Sequence, residues 1–222
     1  MKNNKVVLAF SGGLDTSFCV PFLKNEKGLE VYTVMVNTGG FSEDEAERIK
    51  ERALSLGAVS HTNVDAVDIY YKKGIKYLLS GNILKNSTYP LSVSSERIFQ
   101  ALEVLNEVKR VDAAFVAHGS TGAGNDQVRF DLVFEIMAPE IKVLAPVREL
   151  GLSRKEEIEY LTKHGFEFSW EKSKYSLNRG IWGTSVGGAE TLTSSGVLPE
   201  NAYPGEVTES GSERITIGFL KG

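Results

Sequence analysis

With 222 residues the chain can hold one large domain, or one domain plus an appendage. Hydrophobic residues at 41% and charged residues at 24% give the profile of an ordinary globular protein with its own core. A net charge of −4, with no long run of one sign, excludes an obvious electrostatic footprint for nucleic acid, and the single cysteine, Cys19, excludes an intramolecular disulfide or a cysteine-based metal cluster.

Taken in chain order, the pattern alternates strand and helix. Lys5–Phe10 (KVVLAF) is a short, continuously apolar run ending at Ser-Gly-Gly, as expected of a strand buried on both faces. It is too short for a signal-peptide core, and no stretch reaches membrane-spanning length, so a cytoplasmic protein without a membrane partner is expected. Ser17–Lys27 reads as a helix that tolerates Pro21 by holding it near the first turn. Glu30–Val36 is a second buried strand. Ser42 and Glu45 form a capping box for a helix that Gly57 ends after Leu56. His61–Asp65 is a weaker strand and Ala66–Leu79 a helix. Ser95–Lys109 carries Ile98, Leu102, Leu105 and Val108 at helical spacing. Ala113–Ala117 and Lys142–Ala145 are strands on either side of a helix over Val128–Met137, and Ser153 with Glu156 caps a last helix that ends at His164. Five strands alternating with helices predict a doubly wound parallel α/β sheet. Beyond Phe166 the regularity fails: Thr184–Gly196 reads as a Ser/Thr/Gly-rich loop, and Arg214–Phe219 as one strand without a visible partner.

Ser11-Gly12-Gly13-Leu14-Asp15-Thr16-Ser17 joins the first strand to the first helix. In a parallel sheet, ligands gather at the carboxyl ends of the strands, where this loop lies. Two glycines let successive N–H groups face one concavity, the helix adds its free amides and positive dipole end, and three hydroxyls add donors. The lysine of a Walker loop is absent. The motif instead resembles the loop of the ATP pyrophosphatases, which implies a grip on the β- and γ-phosphates with the α-phosphate left open. The bland alternative is a Gly-Gly turn in which Asp15, Thr16 or Ser17 merely caps the helix. Asp15 is expected to fix the loop by accepting backbone hydrogen bonds as a cap, or to act on Mg²⁺ only indirectly.

A second glycine-rich loop, His118–Asp131 (HGSTGAGNDQVRFD), follows the fourth strand. Asn125 and Arg129 are four apart and share a helical face, and an arginine fork beside an amide and a helix N-terminus suits an amino-acid carboxylate. The competing reading is a glycine turn with Asp126 as the cap and Arg129 in a surface ion pair. His61, His118 and His164 lack metal-ligand spacing and read as structural, and Cys19, inside the first helix, reads as packing.

As a set, SGGLDTS, TYPLSVS at Thr88–Ser94, HGSTGAGNDQVRF at His118–Phe130 and YSLNRGIWGTS at Tyr175–Ser185 resemble the argininosuccinate synthase family over essentially the whole chain. The resemblance implies an ATP-binding domain over residues 1–165, an incomplete synthetase domain over 166–222, and a C-terminal half that is missing. It implies a carbon–nitrogen ligase of arginine biosynthesis that joins citrulline to aspartate through a citrullyl-adenylate, releasing AMP and pyrophosphate. Ala9, Phe10, Ser11, Gly12, Gly13, Leu14, Asp15, Thr16, Ser17, Val36 and Gly119 would bind ATP. Tyr89, Ser94, Asn125, Arg129, Ser176 and Ser185 would hold citrulline. Thr121, Asn125 and Asp126 would hold aspartate, and Asp15 and Asp126 are the catalytic candidates. Mg²⁺ is expected on the phosphates and not in a protein cage, and full-length members would be homotetramers. The sequence departs from the family where Ala123 replaces a common lysine and where Val36-Asn-Thr-Gly-Gly replaces a stretch ending in Gly-Gln. The alternatives are a non-catalytic ATP-binding module and another amide-type synthetase of the same superfamily. Glutaminase-coupled synthetases and transfer-RNA thiolases need cysteines or a basic surface that this chain does not offer.

Overall fold

The computed structural model describes residues 3–122, 124–168, 176–193, 195–205, 208 and 211–218. The chain divides into two compact units, Met1–Lys172 with Asn178–Ser185, and Ser173–Leu177 with Val186–Gly222.

The first unit holds a five-stranded sheet in the order β3-β2-β1-β4-β5, with every neighbouring pair parallel. The strands are β1 (Lys5–Ala9), β2 (Glu30–Asn37), β3 (Ser60–Asp65), β4 (Phe115–His118) and β5 (Lys142–Leu144). The expected doubly wound sheet is therefore present. Alternation along β1 divides its side chains between two cores. Val6 and Leu8 pack with Phe18, Leu23, Ala53 and Leu161 from α1 (Leu14–Asn25), α2 (Glu43–Ser55) and α8 (Arg154–Lys163). Val7 packs on the other face with Val104, Leu105, Val108 and Phe134 from α5 (Ser92–Val111) and α6 (Asp126–Met137). The chain winds outward from β1 through β2 to β3, then returns beside β1 as β4. This reversal makes a switch point at the carboxyl ends of β1 and β4, where Ala9 and His118 are level in register.

Several elements differ from expectation, each for a local reason. α1 begins at Leu14, three residues early, so Pro21 sits in the helix interior; it is buried there against the core. The helix expected over Ala66–Leu79 is broken into α3 (Val67–Tyr70), a π-helical turn (Tyr71–Ile75) and α4 (Lys76–Ser80). Gly74 in that turn brings the backbone so near Phe99 that a Cβ would lie 2.7 Å from its ring. α5 starts earlier than expected and rotates its apolar face: Ala101 and Val104 join Leu105 and Val108 inside, while Ile98 is left exposed. α7 (Pro146–Leu150), too short to show a period, was not expected. Both capping boxes, at Ser42 and Ser153, are formed.

Thr184–Gly196 was expected to be a loop, yet a hairpin of β6 (Ser176–Gly180) and β7 (Gly183–Gly187) enters it. Tertiary bonds override the weak strand propensity there, since Ile181 N donates to Thr38 O at 2.9 Å and Trp182 Nε1 donates to Pro90 O at 2.6 Å. The second unit has 3₁₀ turns at Ala189–Leu192 and Glu200–Ala202. The strand expected over Arg214–Phe219 does not form through Gly218, and Phe219 lies outside the described residues. Ile215 and Ile217 are exposed, and no described segment supplies the hydrogen bonds that a strand needs.

Candidate active site

The loop after β1 is fixed from several sides. Gly12 adopts φ +75°, and its carbonyl accepts from Arg52 Nη1 of α2 at 2.6 Å. Thr16 Oγ1 donates to Gly13 O at 3.2 Å, and Ser11 N donates to Thr16 Oγ1 at 3.4 Å. The N-cap of α1 is Gly13, with no side-chain cap bond. This rules out the alternative in which Asp15, Thr16 or Ser17 caps the helix, and corrects the expectation that Asp15 could fix the loop as a cap. The correction favours an anion site, because leading amides of α1 that no side chain caps remain for an outside acceptor. Ser11 and Gly13 are exposed and Thr16 half-buried, whereas Ser17 is fully buried and its Oγ has no hydrogen-bond partner among the described residues. Ala9 and Phe10 lead into the loop, and Leu14 anchors it in the core. Val36, one residue from the end of β2, is 7% exposed.

Gly119, just after β4, closes against this loop. A Cβ there would lie 2.9 Å from Thr16 Cγ2, 3.0 Å from Thr16 N and 3.1 Å from the Asp15 carbonyl carbon. Only glycine lets the two loops meet so closely. His118 beneath it is 1% exposed; its Nδ1 accepts from Ser120 N at 3.2 Å and its Nε2 lies 2.9 Å from Asp131 Oδ1. Burial pushes its pKa down, which favours a neutral ring with Nε2–H donating to Asp131. Arg148 Nη1 donates to the other Asp131 oxygen at 2.5 Å and to Gln127 at 3.1 Å. His118 thus shapes the second loop, as its structural reading expected.

Beyond the loop, Asn125 is the N-cap of α6 without a side-chain cap bond, and Thr121 and Asn125 are exposed. Asp126 receives two arginines: Arg129 Nη1 donates at 2.5 Å and Arg97 Nε at 3.0 Å. The ion pair foreseen in the competing reading is therefore real, but it is not an isolated surface pair. Arg97 also donates to Gln100 Oε1 at 2.9 Å and to Asn178 Oδ1 of the hairpin at 2.6 Å. Thr38 Oγ1 donates to the buried carboxyl of Glu96, whose pKa burial pushes up. Tyr89 Oη accepts from Val93 N at 3.0 Å and Ser94 Oγ donates to Leu91 O at 3.3 Å, at the start of α5 and just after Pro90, to whose carbonyl Trp182 ties the hairpin. Ser185 is half-buried in β7. Ser176 opens β6, and its side chain lies outside the described residues, as do Ala123 and Tyr175.

The structure therefore gathers the first loop with Gly119, and Asp126 and Arg129 with the Tyr89–Ser94 segment through Arg97 and the hairpin. Arg52, Arg97 and Asn178 escaped sequence reading because their partners lie 29 to 81 positions away. The one local signal of the two arginines is their place on a helix, which is common on any surface.

The family model described as the arginosuccinate synthase N-terminal HUP domain matches residues 5–167. The chain is 39% identical to argininosuccinate synthase of Pyrobaculum aerophilum over 226 aligned residues, covering 100% of the chain and 56% of that protein. It is 38% identical to that of Methanocaldococcus jannaschii, covering 97% of the chain and 55% of the relative. It is also 38% identical to that of Trichodesmium erythraeum, covering 98% and 56%. The chain thus spans about half the length of the curated relatives it matches.

Proposed function

Because this chain belongs to the argininosuccinate synthase family, we propose that it supplies the ATP-binding part of a ligase that joins citrulline to aspartate. One observation carries the reading. The uncapped, glycine-turned loop Ser11–Ser17 and the Gly119 loop abut at the β1/β4 switch point, where open α/β sheets take their ligands.

Residues Ala9–Ser17 and Gly119 would bind the nucleotide, with Val36 beside the adenine through its backbone. Exposed amides of the loop and the start of α1 would face the β- and γ-phosphates, which suits stabilisation of the charge that grows as pyrophosphate departs. Mg²⁺, held through the nucleotide and not by a protein cage, would supply further charge neutralisation when bound. The ureido oxygen of citrulline would attack the α-phosphorus, breaking its bond to the pyrophosphate oxygen and forming a citrullyl-adenylate. The aspartate amine would then attack the ureido carbon, form the C–N bond, lose a proton and release AMP. Tyr89, Ser94, Arg129 and Ser185 would orient citrulline, Thr121 and Asp126 aspartate, and Asn125 both. Arg129 would have to exchange some of its bond to Asp126 for a substrate carboxylate. Such an exchange is compatible with a half-exposed pair that Arg97 continues to hold.

The test is a single turnover by the intact enzyme with ATP labelled at the α-phosphate. Label should appear in AMP, with unlabelled pyrophosphate released, and only when citrulline is present. Release of ADP and orthophosphate would overturn the reading.

A further inference from the structure

The peptide that joins Gly12 to Gly13 has different surroundings on its two sides. Its carbonyl oxygen, on the buried Gly12, accepts from Arg52 Nη1 at 2.6 Å. Its N–H, on the exposed Gly13, meets Ser11 Oγ at a long 3.4 Å. A trans peptide is planar and points its C=O and N–H in opposite directions, so a grip on the carbonyl aims the amide the other way. With the carbonyl drawn inward to α2, the amide faces the mouth of the loop.

Nothing in the two residues themselves chooses this orientation. Rotating the peptide by half a turn changes chiefly Gly12 ψ and Gly13 φ, and glycine accepts φ of either sign. Gly13 stands at φ −72°, and a Cβ there would meet Ser11 Oγ at an ordinary 3.5 Å, so no crowding opposes the rotation. The rotated form would turn the carbonyl, the negative end of the peptide dipole, toward the place of the phosphates. The next peptide has anchors of its own, because Gly13 O accepts from Thr16 Oγ1 at 3.2 Å and from Ser17 N at 2.9 Å. The Gly12–Gly13 peptide is therefore the point at which the loop could switch between receiving and repelling an anion.

We propose that Arg52 is a positioning residue of the phosphate loop, locking the Gly12–Gly13 peptide with its N–H toward the anion. The arginine is itself held. It stands half-buried in the last turn of α2, with its guanidinium carbon 5.2 Å from the centre of the Phe168 ring. A planar cation over an aromatic face keeps its fork in one orientation, and its charge strengthens the bond to the carbonyl.

The inference rests on reading Ser11–Ser17 as the phosphate loop, and two measurements keep the two apart. The first needs no nucleotide. The residual dipolar coupling of the Gly13 N–H in the full chain reports the direction of that bond. The parent should fit the single outward direction. Arg52→Met, which keeps an apolar stem without a donor, should show a coupling averaged over two directions, with couplings along β1 unchanged. A parent coupling that does not fit the outward direction, or equal couplings in the parent and Arg52→Met, would overturn the proposal. The second measurement is calorimetry with MgATP. Arg52→Met should bind about tenfold more weakly than the parent, as loss of a charge-assisted hydrogen bond implies. Arg52→Lys, which keeps a cationic donor but not the planar stack on Phe168, should recover most of that loss. Equal affinity in the parent and Arg52→Met, or no recovery by Arg52→Lys, would also overturn it. Failure of the parent to bind MgATP would instead fault the proposed function, and the dipolar coupling would still decide the orientation of the peptide.

Discussion

At the scale of single residues, the site depends on where side chains are missing as much as on where they stand. Gly119 has no Cβ to strike Thr16 and the Asp15 backbone, and Gly12 turns the loop at a positive φ while its carbonyl holds Arg52. Gly119→Ala would place a methyl group 2.9 to 3.1 Å from three atoms of the loop and first turn, two of them backbone. Overpacking against backbone typically costs about 1–3 kcal/mol. We expect the strain to displace the loop, weakening ATP binding at least about fivefold with the fold retained. Calorimetry beside a thermal melt checks this, and unchanged affinity would show that the two loops need not touch. Asp126 is the polar counterpart: Arg97 and Arg129 both hold its carboxylate in place.

At the scale of elements, the hairpin β6–β7 brings Asn178 to Arg97. Its seat is the turn after β2, where Asn37 Oδ1 accepts from the amides of Gly39, Gly40 and Phe41. A Cβ on Gly40 would lie 2.3 Å from Arg179 O, and one on Gly39 2.1 Å from Ile181 Cγ2. Gly40→Ala should therefore lift the turn and break the Ile181 N to Thr38 O bond. Amide exchange at Ile181 should accelerate about tenfold or more, while exchange in β1 is unchanged. Equal protection at Ile181 in the variant would show that the seat is not this tight.

The hairpin also marks where sequence reading stops. The strands of the sheet announce themselves as apolar runs because both their faces are buried, and Ser42 and Ser153 mark helix starts with purely local chemistry. β6 and β7 carry Ser, Asn, Arg, Gly and Thr, and their order comes from bonds to Thr38, Pro90 and Arg97, distant in sequence. The site divides in the same way. The first loop is contiguous and legible, while the Arg97 bridge joins residues on separate helices and has no sequence signature.

At the scale of the whole molecule, the sheet order places β1 and β4 side by side with both faces covered by helices. The loops that follow these two strands are thereby held at one end of a rigid platform. Among the described residues, no helix is long and apolar enough to cross a membrane. The central claim is that this platform presents Ser11–Ser17 and Gly119 to the phosphates of ATP. Amide chemical-shift mapping of the chain during titration with MgATP tests it most directly. The account predicts saturable shifts that are largest at Gly12–Ser17 and Gly119 and that need at least about fivefold more nucleotide to saturate in Gly119→Ala. Saturable shifts centred elsewhere, with these amides unmoved, would contradict it.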